Sequence, residues 1–290
     1  MKKIVIIGNS AAGIAAAEAI RELDRDSELA IVSGEPFFLY DRRRLLDLVA
    51  STIKEKELFL KNEDFYETHG IELLREREAV GVNFERKRIF FKTKGFLDFD
   101  SLIVATGMSV KLPSLKGIHK QGVVALNGLN DIKFILENLP IAHTVIVVGD
   151  NELASQVARI ITERKFEVKL IGKRDMPLEG VDIIGEAVVT EILGDADVKA
   201  VRLSNNKVIG ASLVIFTGPR TPNVDFLKET PIKINKGILV DEAMRTNVPF
   251  VFAAGDAIEF LDRDKILGWG HAVEEARVAA RVLCQMQPDN

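Results

Sequence analysis

Twice in this sequence a short, wholly apolar strand runs into a glycine and then into a helix, and few folds accept that pattern. Ile4 to Ile7 is a β-branched run without polar alternation, as expected of a strand buried on both faces of a parallel sheet, and it stops at Gly8. Ala11 to Leu23 is alanine-rich with its charge at the far end, which predicts a helix, and Glu28 to Val32 predicts a second strand. Parallel neighbours need such a crossover, so this is a βαβ unit. About 140 residues later the pattern restarts, with Thr144 to Val148 as strand, Glu152 to Arg164 as helix and Glu167 to Ile171 as strand. The expectation is an α/β fold with two three-layer domains. The 290 residues agree, at roughly 150 per domain.

Between the units, Tyr40 to Ala50 and Asn62 to His69 read as helices. Ile71 to Leu74, Val80 to Phe84, Arg88 to Lys92 and Leu97 to Ala105 read as strands. Gly107 to Gly117, with Pro113, predicts a crossover, and a second is expected near Thr230 to Lys236. The predicted domains are therefore interleaved, one formed by residues 1–110 and 236–290 and the other by 111–235.

Composition narrows the chemistry. With 47% hydrophobic and 28% charged residues the chain is globular, and 39 basic against 43 acidic residues provide no positive field for nucleic acid or an anionic membrane. The local exception is Arg42, Arg43 and Arg44, where a solvated charge run is a competing reading. One cysteine, Cys284, allows neither a disulfide nor a redox pair, so redox chemistry requires a bound organic cofactor. Four scattered histidines lack metal-ligand spacing, and no metal is expected. The opening MKKIVIIGNSAAGIAAAEAI mimics a signal peptide, but its apolar run is short and Asn9, Ser10 and Glu18 interrupt it. No stretch reaches the roughly 20 apolar residues of a membrane span. A cytoplasmic protein is the expectation.

The first glycine box is GNSAAG, with Ser10 in the place of a middle glycine. Gly8 serves the tight turn, Ser10, Ala11 and Ala12 let backbone approach a pyrophosphate at the helix N-terminus, and Gly13 packs helix on strand. Glu35, past the second strand, is placed to accept hydrogen bonds from ribose hydroxyls. Further on stand YDRxxL at Tyr40 to Leu45, FDSLIVATG at Phe99 to Gly107, TGPRTPN at Thr217 to Asn223, and GILVDEAMRT through the GDA of Gly255 to Ala257. Over nearly the whole chain and in this order, these motifs resemble the FAD-dependent pyridine nucleotide-disulfide oxidoreductases, especially the rubredoxin, ferredoxin and nitrite reductase flavoproteins. The resemblance implies two interleaved Rossmann-like dinucleotide-binding domains. It implies FAD on the first, with Asp256 and Gly255 at the ribitol, Glu35 at the adenosine ribose, Arg42 beside the pyrophosphate and the backbone of Ala79 and Val80 facing adenine. Ala105, Thr106 and Gly107 complete that site, and the last helix, entered at His271 and Ala272, would aim its amides at the flavin carbonyl. Trp269 reads as a packing aromatic or a flavin partner, and His271 equally as a polar cap.

The second box departs from the family's GGGxxG. In GDNELASQ only Gly149 survives, Asp150 and Asn151 follow it, Ala154 replaces the last glycine and Gln156 a glutamate. A lysine that pairs with that glutamate in the ferredoxin reductase branch is matched here by Asp47. Gly172 stands where an NADH-preferring relative carries an acid, while Lys173 and Arg174 suit a 2′-phosphate or simply solvent, so NADPH is favoured over NADH. Gly149, Asn151, Lys173, Arg174 and Gly218 are the candidate nicotinamide contacts. Gly172 to Gly180 is too short for the helix relatives place there, which predicts a trimmed second domain with one sheet face uncovered as a partner surface. The relatives' C-terminal interface domain is also expected to be missing.

The expected function is an FAD-dependent oxidoreductase passing electrons from NAD(P)H through flavin to a protein acceptor or partner subunit, as part of an oligomer or complex. No side chain is required as a catalytic nucleophile. The alternative is an electron-transfer subunit of a larger dehydrogenase complex that has lost nicotinamide binding.

Overall fold

The computed structural model describes residues 2–173, 177–262 and 264–286. The chain divides into two compact units, one of Met1–Tyr40, Phe59–Met108 and Pro222–Asn290, the other of Asp41–Leu58 and Ser109–Thr221.

In the first unit five parallel strands lie in the order Val251–Ala253, Ser101–Val104, Lys3–Ile7, Glu28–Val32, Ile71–Leu74. Lys3–Ile7 is central, and Ile4, Val5 and Ile6 are fully buried, which is why its sequence shows no polar alternation. Register brings Ile7, Val32, Val104 and Ala253 level at the carboxyl ends of their strands. The helices Ala11–Leu23 and Trp269–Gln285 pack on each other, and both are rich in buried alanines, Ala12, Ala15, Ala16 and Ala19 on one and Ala272, Ala276, Ala279 and Ala280 on the other. A three-stranded antiparallel meander, Ala79–Asn83, Arg88–Phe91 and Phe96–Asp98, adds Ile89 and Phe91 to the same core. The single strand expected over Leu97 to Ala105 is thus two strands in two sheets. The chain turns at Phe99 and Asp100, whose amides donate to the carbonyls of Lys87 and Lys3 at 2.9 and 2.7 Å.

In the second unit the parallel order is Asp182–Ile184, Glu167–Ile171, Thr144–Val148, Leu213–Phe216, Val123–Ala125. Glu152–Glu163 packs against the two strands at its centre, and Leu129–Asn138 against the Val123 strand. The helix expected from Tyr40 to Ala50 is shorter: a 3-10 turn over Arg42–Arg44, then Leu45–Val49. Between Ile171 and Asp182 the described residues hold no helix. The sheet face expected to lie uncovered is not left open. The missing helix would share a face with Glu152–Glu163, and over the central strands that helix already buries Val145, Val147, Val168 and Leu170. The opposite face is covered by a separate element. A meander of Val189–Leu193, Ala200–Leu203 and Val208–Gly210 places Val189, Ile192, Val201, Leu203 and Ile209 in one core with Ile146, Ile171, Val214 and Phe216. Apolar strand faces must be buried by something, and here a later part of the chain does it.

Among the described residues no helix is long and apolar enough to cross a membrane. The alanine-lined helix pair leaves no room for larger side chains. Ala276→Leu, at a fully buried position, is expected to destabilise the protein by about 1–3 kcal/mol, read as a lowered urea midpoint with an unchanged slope.

Candidate functional site

At the carboxyl ends of the first sheet, four segments converge by backbone contact. Gly8 has φ +123°, and a Cβ there would stand 2.1 Å from the Ala105 carbonyl oxygen. A Cβ on Gly13 would meet the Gly8 carbonyl at 1.8 Å, so the helix starts directly against the strand end. Gly255, φ +77°, sits where a Cβ would be 3.0 Å from the Ala12 methyl and 3.6 Å from that of Ala272. The box, the ATG turn, the GDA turn and the last helix therefore meet around residues with almost no side chain. Ser10 precedes the first helical turn without capping it by its side chain, and that turn carries no acidic residue. Such a helix start, open at the end of a parallel strand, is suited to a phosphate.

Polar bonds extend this cradle along the sheet edge. Asn9 Nδ2 donates to the Phe37 carbonyl at 3.2 Å, and Asn9 Oδ1 accepts the Tyr66 hydroxyl at 2.9 Å. Burial pushes the Tyr66 phenol up, keeping it a donor. Glu35 receives the Tyr40 hydroxyl, 3.2 and 3.1 Å from its two carboxylate oxygens. Ser33, two residues before Glu35, accepts the Arg77 amide at 2.8 Å, which brings the chain leading to Ala79 and Val80 beside the Glu35 loop. Val80 falls at a register irregularity between Ala79 and Gly81 and is exposed. Asn223 clamps the ATG turn: its Nδ2 donates to the Thr106 carbonyl at 2.9 Å, and Thr106 Oγ1 donates to the Asn223 carbonyl at 2.8 Å. Asp256 Oδ1 accepts the Gly268 amide at 3.4 Å. The last helix begins at Trp269, not His271, and the Ala272 amide is already bonded to the Gly268 carbonyl at 3.0 Å. His271 is exposed in its first turn.

The second box is built differently. Gly149, φ +154°, packs where a Cβ would lie 2.2 Å from Thr217 Oγ1. Asn151 caps the Glu152–Glu163 helix with its own side chain: Oδ1 accepts the Ala154 amide at 2.9 Å and Nδ2 donates to the Thr217 carbonyl at 2.8 Å. Gly218 lies tight against it, a Cβ falling 2.5 Å from Asn151 Nδ2. Asp150 is exposed and Glu152 adds a carboxylate to the first turn. Lys173 is exposed, and Arg174 lies outside the described residues. Each arginine of the run has a partner in the second unit. Arg42 donates to the Asn127 carbonyl at 3.0 Å, Arg43 pairs with Asp41 at 2.7 Å and Arg44 with Asp47 at 3.1 Å. Arg43 thereby holds the Asp41 carboxyl below the usual carboxylate range.

The sequence profile of the pyridine nucleotide-disulphide oxidoreductases matches residues 2–280. The chain belongs to that family. Among its relatives, nitrite reductase [NAD(P)H] of Bacillus subtilis is 25% identical over 99% of this chain and 38% of its own length. NADH-rubredoxin oxidoreductase of Clostridium acetobutylicum is 26% identical over 90% of this chain and 69% of its own. The chain spans 36% to 50% of the length of several curated relatives it matches. In fold it resembles the crystal structure of a covalent putidaredoxin reductase–putidaredoxin complex, with a TM-score of 0.88 and 23% identity over 100% of this chain and 76% of that one.

Set against the family pattern, the two changed partners are engaged with near neighbours in sequence. Asp47 pairs with Arg44, and Gln156 Nε2 donates to Glu152 at 3.2 Å. Gly172 acquires a steric reason: a Cβ there would stand 2.1 Å from the Gly149 carbonyl oxygen. With the two glycines this close, a side chain at position 172 requires the backbone to shift. Sequence reasoning missed Asn9, Thr217 and Asn223, which sit inside quoted motifs and bond to backbone carbonyls, and Tyr40, which holds the Glu35 carboxylate. It also missed Glu275, whose helical spacing from Ala272 and Ala279 already marked it as buried.

Two outcomes are expected. Gly172→Asp lowers stability by at least about 2 kcal/mol in denaturant titration, and confers no NADH preference. Because the Asp41 carboxyl is depressed in the folded state, its contribution is present above the unfolded value near pH 4 and fades as pH falls through the folded value. Arg43→Met should flatten the loss of stability below about pH 4 in thermal melts across that range.

Proposed function

We propose that this chain is an FAD-dependent oxidoreductase that takes reducing equivalents from NAD(P)H and passes them to a protein acceptor or partner subunit. The observation that carries the reading is the side-chain-free cradle of Gly8, Gly13, Ala105 and Gly255 at the carboxyl ends of the first sheet. In an open α/β sheet that edge is where ligands bind. Close backbone approach at Gly8 and Gly13 suits a pyrophosphate at the start of the Ala11–Leu23 helix. Ser10, Ala11 and Ala12 would line it without bulk, Thr106 and Gly107 would bound it, and Asp256 would accept from ribityl hydroxyls. Glu35, oriented by Tyr40, would accept from the adenosine ribose, with Ala79 and Val80 at the adenine. FAD bound there supplies the redox chemistry, accepting two electrons and releasing them one or two at a time. The chain's own part is to hold the nucleotide and direct the amides of the Trp269–Gln285 helix at the flavin, where a positive helix end favours the reduced form.

For the nicotinamide, Gly149 and Gly218 keep the tight turn and Lys173 offers a cation, which favours NADPH over NADH. A second reading is favoured by Asn151. Its side chain already satisfies the helix start a pyrophosphate would use, and Asp150 and Glu152 add repulsion. On that reading the protein is a flavin-bearing electron-transfer subunit, reduced by another subunit.

The absorption spectrum of the purified protein, before and after anaerobic addition of each nucleotide, separates these. Bound flavin that bleaches with NADPH, and more slowly with NADH, supports the oxidoreductase. Flavin that neither nucleotide reduces supports the electron-transfer subunit, and a protein that binds no flavin overturns both.

A further inference from the structure

A buried ion pair stands directly behind the GDA turn. Glu275 lies on the inner face of the Trp269–Gln285 helix and is 9% exposed. One of its oxygens, Oε2, accepts the Gly255 amide at 3.0 Å, and the other is bonded to the Lys265 ammonium. Both side chains are about nine-tenths buried. Three hydrogen bonds therefore tie the stretch from Lys265 to Gly268 onto Gly255 and Asp256, two of them through Glu275 and the third from the Gly268 amide to the Asp256 carboxylate.

Packing alone does not call for a glutamate here. The same helix face is otherwise Ala272, Ala276, Ala279 and Leu283, and an apolar side chain of similar volume would fill the space without the cost of desolvating two charges. What an apolar residue lacks is an acceptor for the Gly255 amide. Nor is the carboxylate tolerable by itself. An unpaired negative charge behind a turn that receives an anionic nucleotide would both pay its own desolvation and repel the ligand.

We propose that Glu275 and Lys265 are positioning residues for the flavin nucleotide. Glu275 fixes the Gly255 amide so that the turn and the Asp256 carboxylate are set before the ligand arrives. Lys265 cancels the charge this requires and anchors the entry to the last helix. The inference rests on the FAD reading above.

The test titrates FAD into the flavin-free full-length protein by fluorescence, with the Tm of each variant measured in parallel. Glu275→Gln keeps one acceptor for the Gly255 amide and strands a positive charge, which does not repel an anionic nucleotide, so its Tm should fall while FAD binds within about threefold of wild type. Glu275→Leu removes the acceptor, and Lys265→Met strands the carboxylate; each should weaken FAD by at least about tenfold. The double variant Lys265→Met/Glu275→Gln removes the stranded charge and should return to within about threefold of wild type. A merely structural pair would lower Tm without this recovery of affinity. FAD binding by Glu275→Leu and Lys265→Met within about threefold of wild type overturns the proposal, as does a folded double variant that fails to recover. Should Glu275→Leu not fold, Lys265→Met and the double variant decide between them. Wild-type protein that binds no FAD would instead sink the reading this proposal rests on.

Discussion

The first unit depends on backbone touching backbone at the end of its central strand. Ile7, Val104 and Ala253 finish level, and the chain turns out of the sheet at Gly8, Ala105 and Ala254 with no side chain between Gly8 and the Ala105 carbonyl. Gly13 then seats the helix on Gly8 itself. Every later contact inherits this closeness. Asn9 can reach Phe37 and Tyr66, Asn223 can clamp Thr106, and Gly255 can sit between Ala12 and Ala272 because nothing bulky intervenes.

The alanine faces of the two long helices extend the same economy of side chains. A helix pair built on leucine stands farther from its neighbour, and the GDA turn would then lose its place against Ala12 and Ala272. The proposed flavin site is thus a consequence of packing as much as of its polar residues. In the second unit the same geometry recurs at Gly149, Gly172 and Thr217, yet Asn151 turns inward to cap its own helix. Equivalent backbones can therefore present a helix start that is open or one already satisfied, and a single side chain decides which.

Much of the architecture was legible because strand and helix periods differ and glycine punctuates them. Ala11–Leu23, Glu28–Val32, Thr144–Val148 and Glu167–Ile171 have the predicted bounds, since each is bounded by turn residues and carries a clear pattern. Leu97 to Ala105 misled because an apolar run does not reveal where a strand changes sheets. That depends on Asp100 meeting Lys3, 97 residues away in sequence. The covered face of the second sheet was hidden for a similar reason. A missing helix is visible locally, but that Glu152–Glu163 still buries the strands beneath, and that a later meander covers the opposite face, are tertiary events.

The sequence by itself determined that the chain repeats a strand, a glycine turn and a helix. It determined too which small residues could line a nucleotide and, through its one cysteine, that these 290 residues contain no cysteine pair. These follow from local sterics and from counting. Tertiary structure alone decided that Glu275 and Lys265 stand behind Gly255, that Asn151 satisfies its own helix, and that a side chain in place of Gly172 requires the backbone to shift. Each is a distance between segments far apart in the chain, set by how sheets and helices pack.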